Sequence, residues 1–168
     1  MTAATQISVD EYLRTTYRPD RDYVDGEVLE RNLGEYEHAR PQGLIYGYLL
    51  NREKEWGIRV VPEQRVQVKP TRFRTPDVSV VVDSTPIESI FRTPPFLCVE
   101  VLSKDDSFKS IVDRLDDYAA MGVPNIWVVD PRTRRGYRYA NESFIEANDG
   151  ILKTSNPEIA VPLSAIFE

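Results

Sequence analysis

The chain has 168 residues, 41% of them hydrophobic, and a net charge of −6, which suits one domain spanning 1–168 with a full core and argues against a general coat for nucleic acid. No run approaches the ~18 apolar residues of a membrane span, and the opening "MTAATQISVDEYL" lacks the basic start and apolar stretch of a signal peptide, so a cytoplasmic protein is expected. The single cysteine, Cys98, excludes an internal disulfide and a cysteine-rich zinc site.

Ser8 with Glu11 three places on forms a capping box ahead of a short helix. The segment "RDYVDGEVLER" is two alternating runs around Asp25-Gly26, a hairpin signal with Glu27 directly after the turn. "EYEHARPQGLIYGYLLNREKEWG" reads as a helix, with Leu44, Ile45, Tyr48 and Leu49 at helical spacing and Gly57 as the stop. Pro41 belongs in its first turn or kinks a longer helix. "IRVVPEQRVQV" reads as one strand bent at Pro62.

"TPDVSVVVD" is a short apolar run entered through Pro76-Asp77, and a proline-rich connection leads to "FLCVEVLS", the central strand. "DDSFKSIVDRLDDYAAMG" is an amphipathic helix carrying Ile111, Leu115, Tyr118 and Ala119 on one face. "NIWVVDP" and "RTRRGYRYA" supply further strands, and the remainder reads as β-structure. Strand, helix and strand across 96–130 make a βαβ unit with a right-handed crossover. The hairpins around it make the sheet mixed. The expected class is α/β, a mixed central sheet flanked by helices.

Glu100 stands inside the central apolar run. An unpaired buried carboxylate costs several kcal/mol, so it requires a base, a set of donors or a metal ion. If the strands after Pro76 and Phe96 pair, Asp77 and Glu100 meet at one end of the sheet. Two carboxylates with a strand carbonyl and water form an oxygen-only set suited to Mg²⁺ or Mn²⁺. Such a metal polarises a phosphodiester and activates an attacking water. Glu27 is a candidate third carboxylate.

The series Asp-Gly-Glu27, Pro76-Asp77 and Glu100-Val101-Leu102-Ser103 resembles the PD-(D/E)XK nuclease superfamily. The run "RLDDYAAMGVPNIWVVDP" is similar to a bacterial family of restriction-endonuclease-like proteins. The resemblance implies a restriction-endonuclease-like core, Asp77 and Glu100 as metal ligands, Glu27 as an accessory acid, and DNA hydrolysis leaving a 5′-phosphate. One departure stands out. The superfamily lysine two residues after the acid is Leu102 here. In the family the cation is commonly supplied from the next helix, four residues before the tyrosine, and that position is Arg114. Arginine neutralises phosphate or holds carboxylates but stays charged, so it is no general base.

Simpler readings stand beside these. Glu100 with Arg114 is also a structural ion pair, Asp77 a turn residue after proline, and Glu27 an exposed hairpin residue. His38, the only histidine, is a capping residue or a site-rim residue, and Tyr118 packs the core or orients Arg114. Lys69, Arg72 and Arg74 form the basic cluster nearest Asp77 and are the phosphate candidates. Arg132, Arg134, Arg135 and Arg138 form a second cluster, interleaved with Tyr137 and Tyr139.

Two functions are therefore carried forward. One is a Mg²⁺-dependent endonuclease acting on DNA, paired as a homodimer to cut both strands. The other is an inactive nuclease-fold module that binds nucleic acid or a protein.

Overall fold

A computed structural model describes residues 5–32 and 34–167. Ser8 caps helix α1 (Val9–Arg14), its hydroxyl accepting the Glu11 N–H at 3.1 Å. Strands β1 (Asp22–Val24) and β2 (Glu27–Leu29) follow. Asp25 at φ 49 and Gly26 at φ 102 make the left-handed turn that matches strand twist.

Helix α2 (Tyr36–Leu50) contains Pro41 in its second turn, so the helix neither begins at the proline nor ends there. The carbonyl that loses its helical donor belongs to Glu37, which is exposed at the helix start, where water can replace the missing N–H. The expected single helix to Gly57 is two: α3 (Glu53–Trp56) is separate and stops at Gly57, φ 64. Strands β3 (Ile58–Pro62), β4 (Val66–Lys69), β5 (Arg72–Arg74), β6 (Val78–Val82) and β7 (Leu97–Val101) come next. Then follow α4 (Phe108–Met121), β8 (Asn125–Asp130), β9 (Arg135–Ala140), β10 (Ser143–Glu146), β11 (Ile151–Lys153) and β12 (Ala160–Pro162).

The central sheet has six strands in the order β10-β9-β8-β7-β6-β3, and only β7 and β8 are parallel. The helix between those two strands is α4, the crossover the βαβ reading requires. A second sheet runs β2-β1-β5-β4, and β11 pairs with β12. The run around Pro62 is therefore not one bent strand. Pro62 ends β3 in the central sheet, Glu63 takes φ 49, and the chain leaves to form β4 in the second sheet. A proline cannot donate to a ladder, so it suits a strand end.

Side-chain alternation along β7 divides the core. Leu97, Val99 and Val101 face Ile45 and Leu49 of α2, together with Val60, Val80 and Trp127. Cys98 faces the other way, toward Ile111, Leu115 and Tyr118 of α4, where it packs as a small hydrophobe. Glu100 shares that second face by the same alternation. Among the described residues no helix is long and apolar enough to cross a membrane.

Candidate active site

Strands β6 and β7 run antiparallel with Val78 opposite Val99 and Val80 opposite Leu97. Continuing that register by one residue sets Asp77 opposite Glu100. The Asp77 carboxylate turns back onto the neighbouring strand, and its Oδ2 accepts the Val101 N–H at 2.7 Å. Both acids are buried, at 2% and 3% exposure. Such burial demands partners.

Asp77 has three. Besides Val101, Arg31 donates from Nη2 to Oδ1 at 3.1 Å, and His38 Nε2 lies 3.3 Å from Oδ2. Arg31 follows β2, and His38 lies in the first turn of α2, so two separate elements converge on one carboxylate. Burial lowers the His38 pKa, but the bond to Asp77 together with the charges of Asp77 and Glu100 outweighs it, and the net shift is upward. The imidazole is thereby biased toward its charged form.

Glu100 is held more loosely. Tyr118 donates its hydroxyl to Oε1 at 2.5 Å, and Arg114 Nη1 stands 3.9 Å from Oε2. Burial pushes the Glu100 carboxyl up to about 7; Asp77 adds to this, while Arg114 and the Tyr118 hydroxyl oppose it. Arg114 is anchored instead by Asp106, with Nη2 to Oδ1 at 3.1 Å. Asp106 in turn accepts from Asn32 at 3.2 Å and from the Ser103 N–H at 2.8 Å. Two buried guanidinium nitrogens at this site, Arg31 Nη1 and Arg114 Nε, have no hydrogen-bond partner among the described residues.

A cleft of about 650 Å³ opens beside these groups and is lined in part by His38, Leu102, Asp106, Phe108 and Arg132. His38 and Asp106 belong to both the cleft wall and the charge network, so the buried acids lie directly behind a solvent-filled surface.

Residues 9–155 match the Uma2 family, described as "Putative restriction endonuclease". The chain belongs to this family. Among solved structures it is similar to a "putative nuclease belonging to DUF820" from Anabaena variabilis ATCC 29413. That match has a TM-score of 0.80 and 19% identity, covering 96% of this chain and 97% of the other. It establishes the restriction-endonuclease-like fold. A weaker likeness, TM-score 0.40 at 15% identity, covers 71% of this chain and 9% of the chain in a DrdV–DNA complex. No curated protein matches the chain in sequence.

Glu27 is exposed on β2 opposite Val24, and among the described residues its carboxylate forms no hydrogen bond or ion pair. The hairpin's buried acid is Asp22, which pairs with Arg74 at 3.3 Å and accepts the Thr75 N–H at 3.1 Å. Arg74 is itself buried, and its Nε bonds Asp117 at 2.8 Å. Arg72 bridges Asp25 at 2.7 Å and Asp117 at 3.0 Å, and Lys69 lies 3.8 Å from Asp117. The basic cluster before Pro76 therefore has carboxylate partners throughout. In the second cluster Arg135 pairs with Glu146 at 3.2 Å, while Arg132 lines the cleft.

Sequence reasoning missed Arg31, Asp22 and Asp106. Each stands in a polar stretch with the look of solvated surface, and only long-range pairing sets it apart. The one available signal for Arg31 was its place just beyond a hairpin whose strands must pack near the sheet edge.

Asp77 and Glu100 are the buried carboxylates that would hold a divalent metal, although Asp77 already bonds Arg31, His38 and the Val101 N–H. Among the described residues no three His, Cys, Asp or Glu side chains group as a ready-made metal cage. The donor chemistry fits nonetheless. The two acids stand opposite one another across β6 and β7, their oxygens are hard ligands, and burial, reinforced by the Asp77 charge, raises the Glu100 carboxyl. With two protein ligands, water must complete the coordination, which is ordinary for Mg²⁺.

Proposed function

We propose that this Uma2 protein is a Mg²⁺- or Mn²⁺-dependent endonuclease hydrolysing DNA phosphodiester bonds. The observation that carries the reading is the register of β6 on β7, which sets Asp77 opposite Glu100 with two arginines and a histidine around them. Asp77 and Glu100 would hold the metal. When bound, the metal supplies charge that polarises the phosphodiester.

The chain's own groups divide the remaining work. Among the described residues, Arg31 Nη1, 4.0 Å from Glu63, and Arg114 Nε make no hydrogen bond, and donors of this kind stabilise the phosphoryl oxygens of an in-line displacement. Arg114 cannot remove a proton. Deprotonation of the attacking water therefore falls to the bound metal, which would lower the pKa of that water, or to a carboxylate of the site. Tyr118 holds Glu100 in place through its hydroxyl. Glu27 assists from outside this inner group if substrate brings it a partner. Cutting both strands favours a homodimer in the cytoplasm, with DNA as the partner.

The second reading is a nuclease-fold module without catalysis that binds nucleic acid or a protein. Both Asp77 oxygens already have protein donors, and Leu102 stands where the superfamily has lysine, so a metal must displace Arg31 or His38. Supercoiled plasmid with Mg²⁺ or Mn²⁺ separates the two. Wild type is expected to nick it, and Asp77→Ala and Glu100→Ala are not. Equal nicking by all three refutes the assignment, and no nicking by wild type favours the module.

A further inference from the structure

We propose that the cleft beside Asp77 and Glu100 holds an unpaired nucleobase stacked on Phe108, so that the substrate is single-stranded or has a base turned out of the duplex. The inference rests on the nuclease reading above and specifies its substrate class.

Phe108 opens α4 and is 73% exposed, unusual for so large an apolar side chain. Its ring is not adrift. It lies 6.1 Å from Phe144, which packs edge-on against Tyr137 at 6.2 Å and Tyr139 at 5.1 Å. Tyr139 is tied to α4 through its hydroxyl and Asp116 at 2.5 Å. The exposed ring is thus the end of an aromatic row fixed by the sheet, which lowers the entropy lost when another ring stacks on it. Base–aromatic stacking tolerates any sequence, because every base has a π-face.

The walls suit a base better than a backbone. Leu102, Ile111 and Pro131 supply apolar surface, while Glu35, Glu37, Asp106 and Asp130 make the lining acidic. Asp106 and Asp130 are already bonded within the protein, and Glu35 pairs with Lys104 at 2.7 Å, so Glu37 is the carboxylate left to accept from the ring and amino N–H groups of a base. Lys104, paired with Glu35 at the rim, and Arg132 are the lining cations within reach of flanking phosphates. A duplex would bring two rows of phosphates to this acidic wall. A single strand brings one row, and its base can enter. Continuity with the catalytic acids is direct, because His38 lines the cleft and contacts Asp77 at 3.3 Å. A base in the cleft therefore sets its own phosphate near the carboxylate pair.

The test uses the whole protein in EDTA, so that binding is read apart from metal-dependent cleavage. A single-stranded 12-mer with one central 2-aminopurine and the matching blunt duplex are titrated with wild type, Phe108→Ala and Phe108→Trp. Wild type is expected to bind the single strand at least 10-fold more tightly than the duplex and to quench 2-aminopurine. Phe108→Ala should lose at least 10-fold on the single strand, and Phe108→Trp should restore it. Equal single-strand binding by wild type and Phe108→Ala overturns the inference, as does wild-type preference for duplex or no binding at all. So does a change confined to self-association in sedimentation, which would make Phe108 a protein contact. Plasmid nicking by wild type, scored separately, decides the nuclease reading whatever happens here.

Discussion

Tyr118 donates its hydroxyl to Glu100 at 2.5 Å from one helical turn beyond Arg114, so both side chains reach the same carboxylate from one face of α4. The hydroxyl bond is one of the forces that lowers the Glu100 pKa against its burial. Removing it by Tyr118→Phe should raise that pKa further. The acid limb of a pH–rate profile for Mn²⁺-dependent nicking should then move to higher pH. Loss of a buried hydrogen bond should also cost about 1–3 kcal/mol in urea unfolding. An unshifted limb would show that Glu100 does not titrate in the reaction.

Glu100 and His38 both have raised pKa values in the folded state, and the signs combine. Each contributes stability that is fully present below its unfolded value and is lost as pH rises through its folded value. For Glu100 the window runs from the ordinary glutamate value of 4.5 to about 7. The urea midpoint in EDTA should therefore fall between about pH 5 and pH 7.5. Mg²⁺ should flatten the fall, because a cation between the carboxylates favours their ionised forms and binds only the folded protein. The comparison needs nothing but unfolding curves at several pH values, each with and without metal.

Arg114→Lys keeps the charge but loses the fork that bonds Asp106 while approaching Glu100. Nicking should stay within about 10-fold of wild type, whereas Arg114→Met should lose ~100-fold or more, the scale of one charge-stabilising donor. Steady-state rates on one plasmid decide it. Equal losses in both variants would mean that geometry at this position matters more than charge.

Arg74→Met breaks a buried ion pair and leaves Asp117 and Asp22 undercompensated, which should cost about 3–5 kcal/mol. Because Arg74 is buried, the variant should leave the salt slope of DNA binding unchanged. Lys69→Ala, at a half-exposed cation, should reduce the slope by about 1 if Lys69 meets a phosphate. Unfolding curves and a salt series of binding constants give both readouts.

Local signals carried most of the fold. The Ser8–Glu11 capping box, the Asp25-Gly26 hairpin and the βαβ unit each depend on neighbours in sequence or on one helical period. The Asp77–Glu100 juxtaposition was also legible, because each acid sits at an apolar strand and pairing the strands aligns them. What escaped depends on contacts across the chain. Nothing near Pro62 tells that the strand beyond it joins a different sheet. Arg31 reads as surface charge until it is found 46 positions from its partner Asp77. Arg74 and Glu27 owe their surroundings to the same long-range contacts: a cation beside the site is buried in its own ion pairs, and an acid beside a turn stays in solvent.

The central claim is that Asp77 and Glu100 grip a single divalent ion. A crystal soaked in Mn²⁺, with anomalous scattering collected at the manganese edge, addresses it without any assumption about substrate. We expect one peak within about 2.0–2.3 Å of an oxygen from each carboxylate, with Arg31 or His38 drawn away from Asp77. Crystals that take up no manganese there, or bind it only through one of the two acids, would contradict the account.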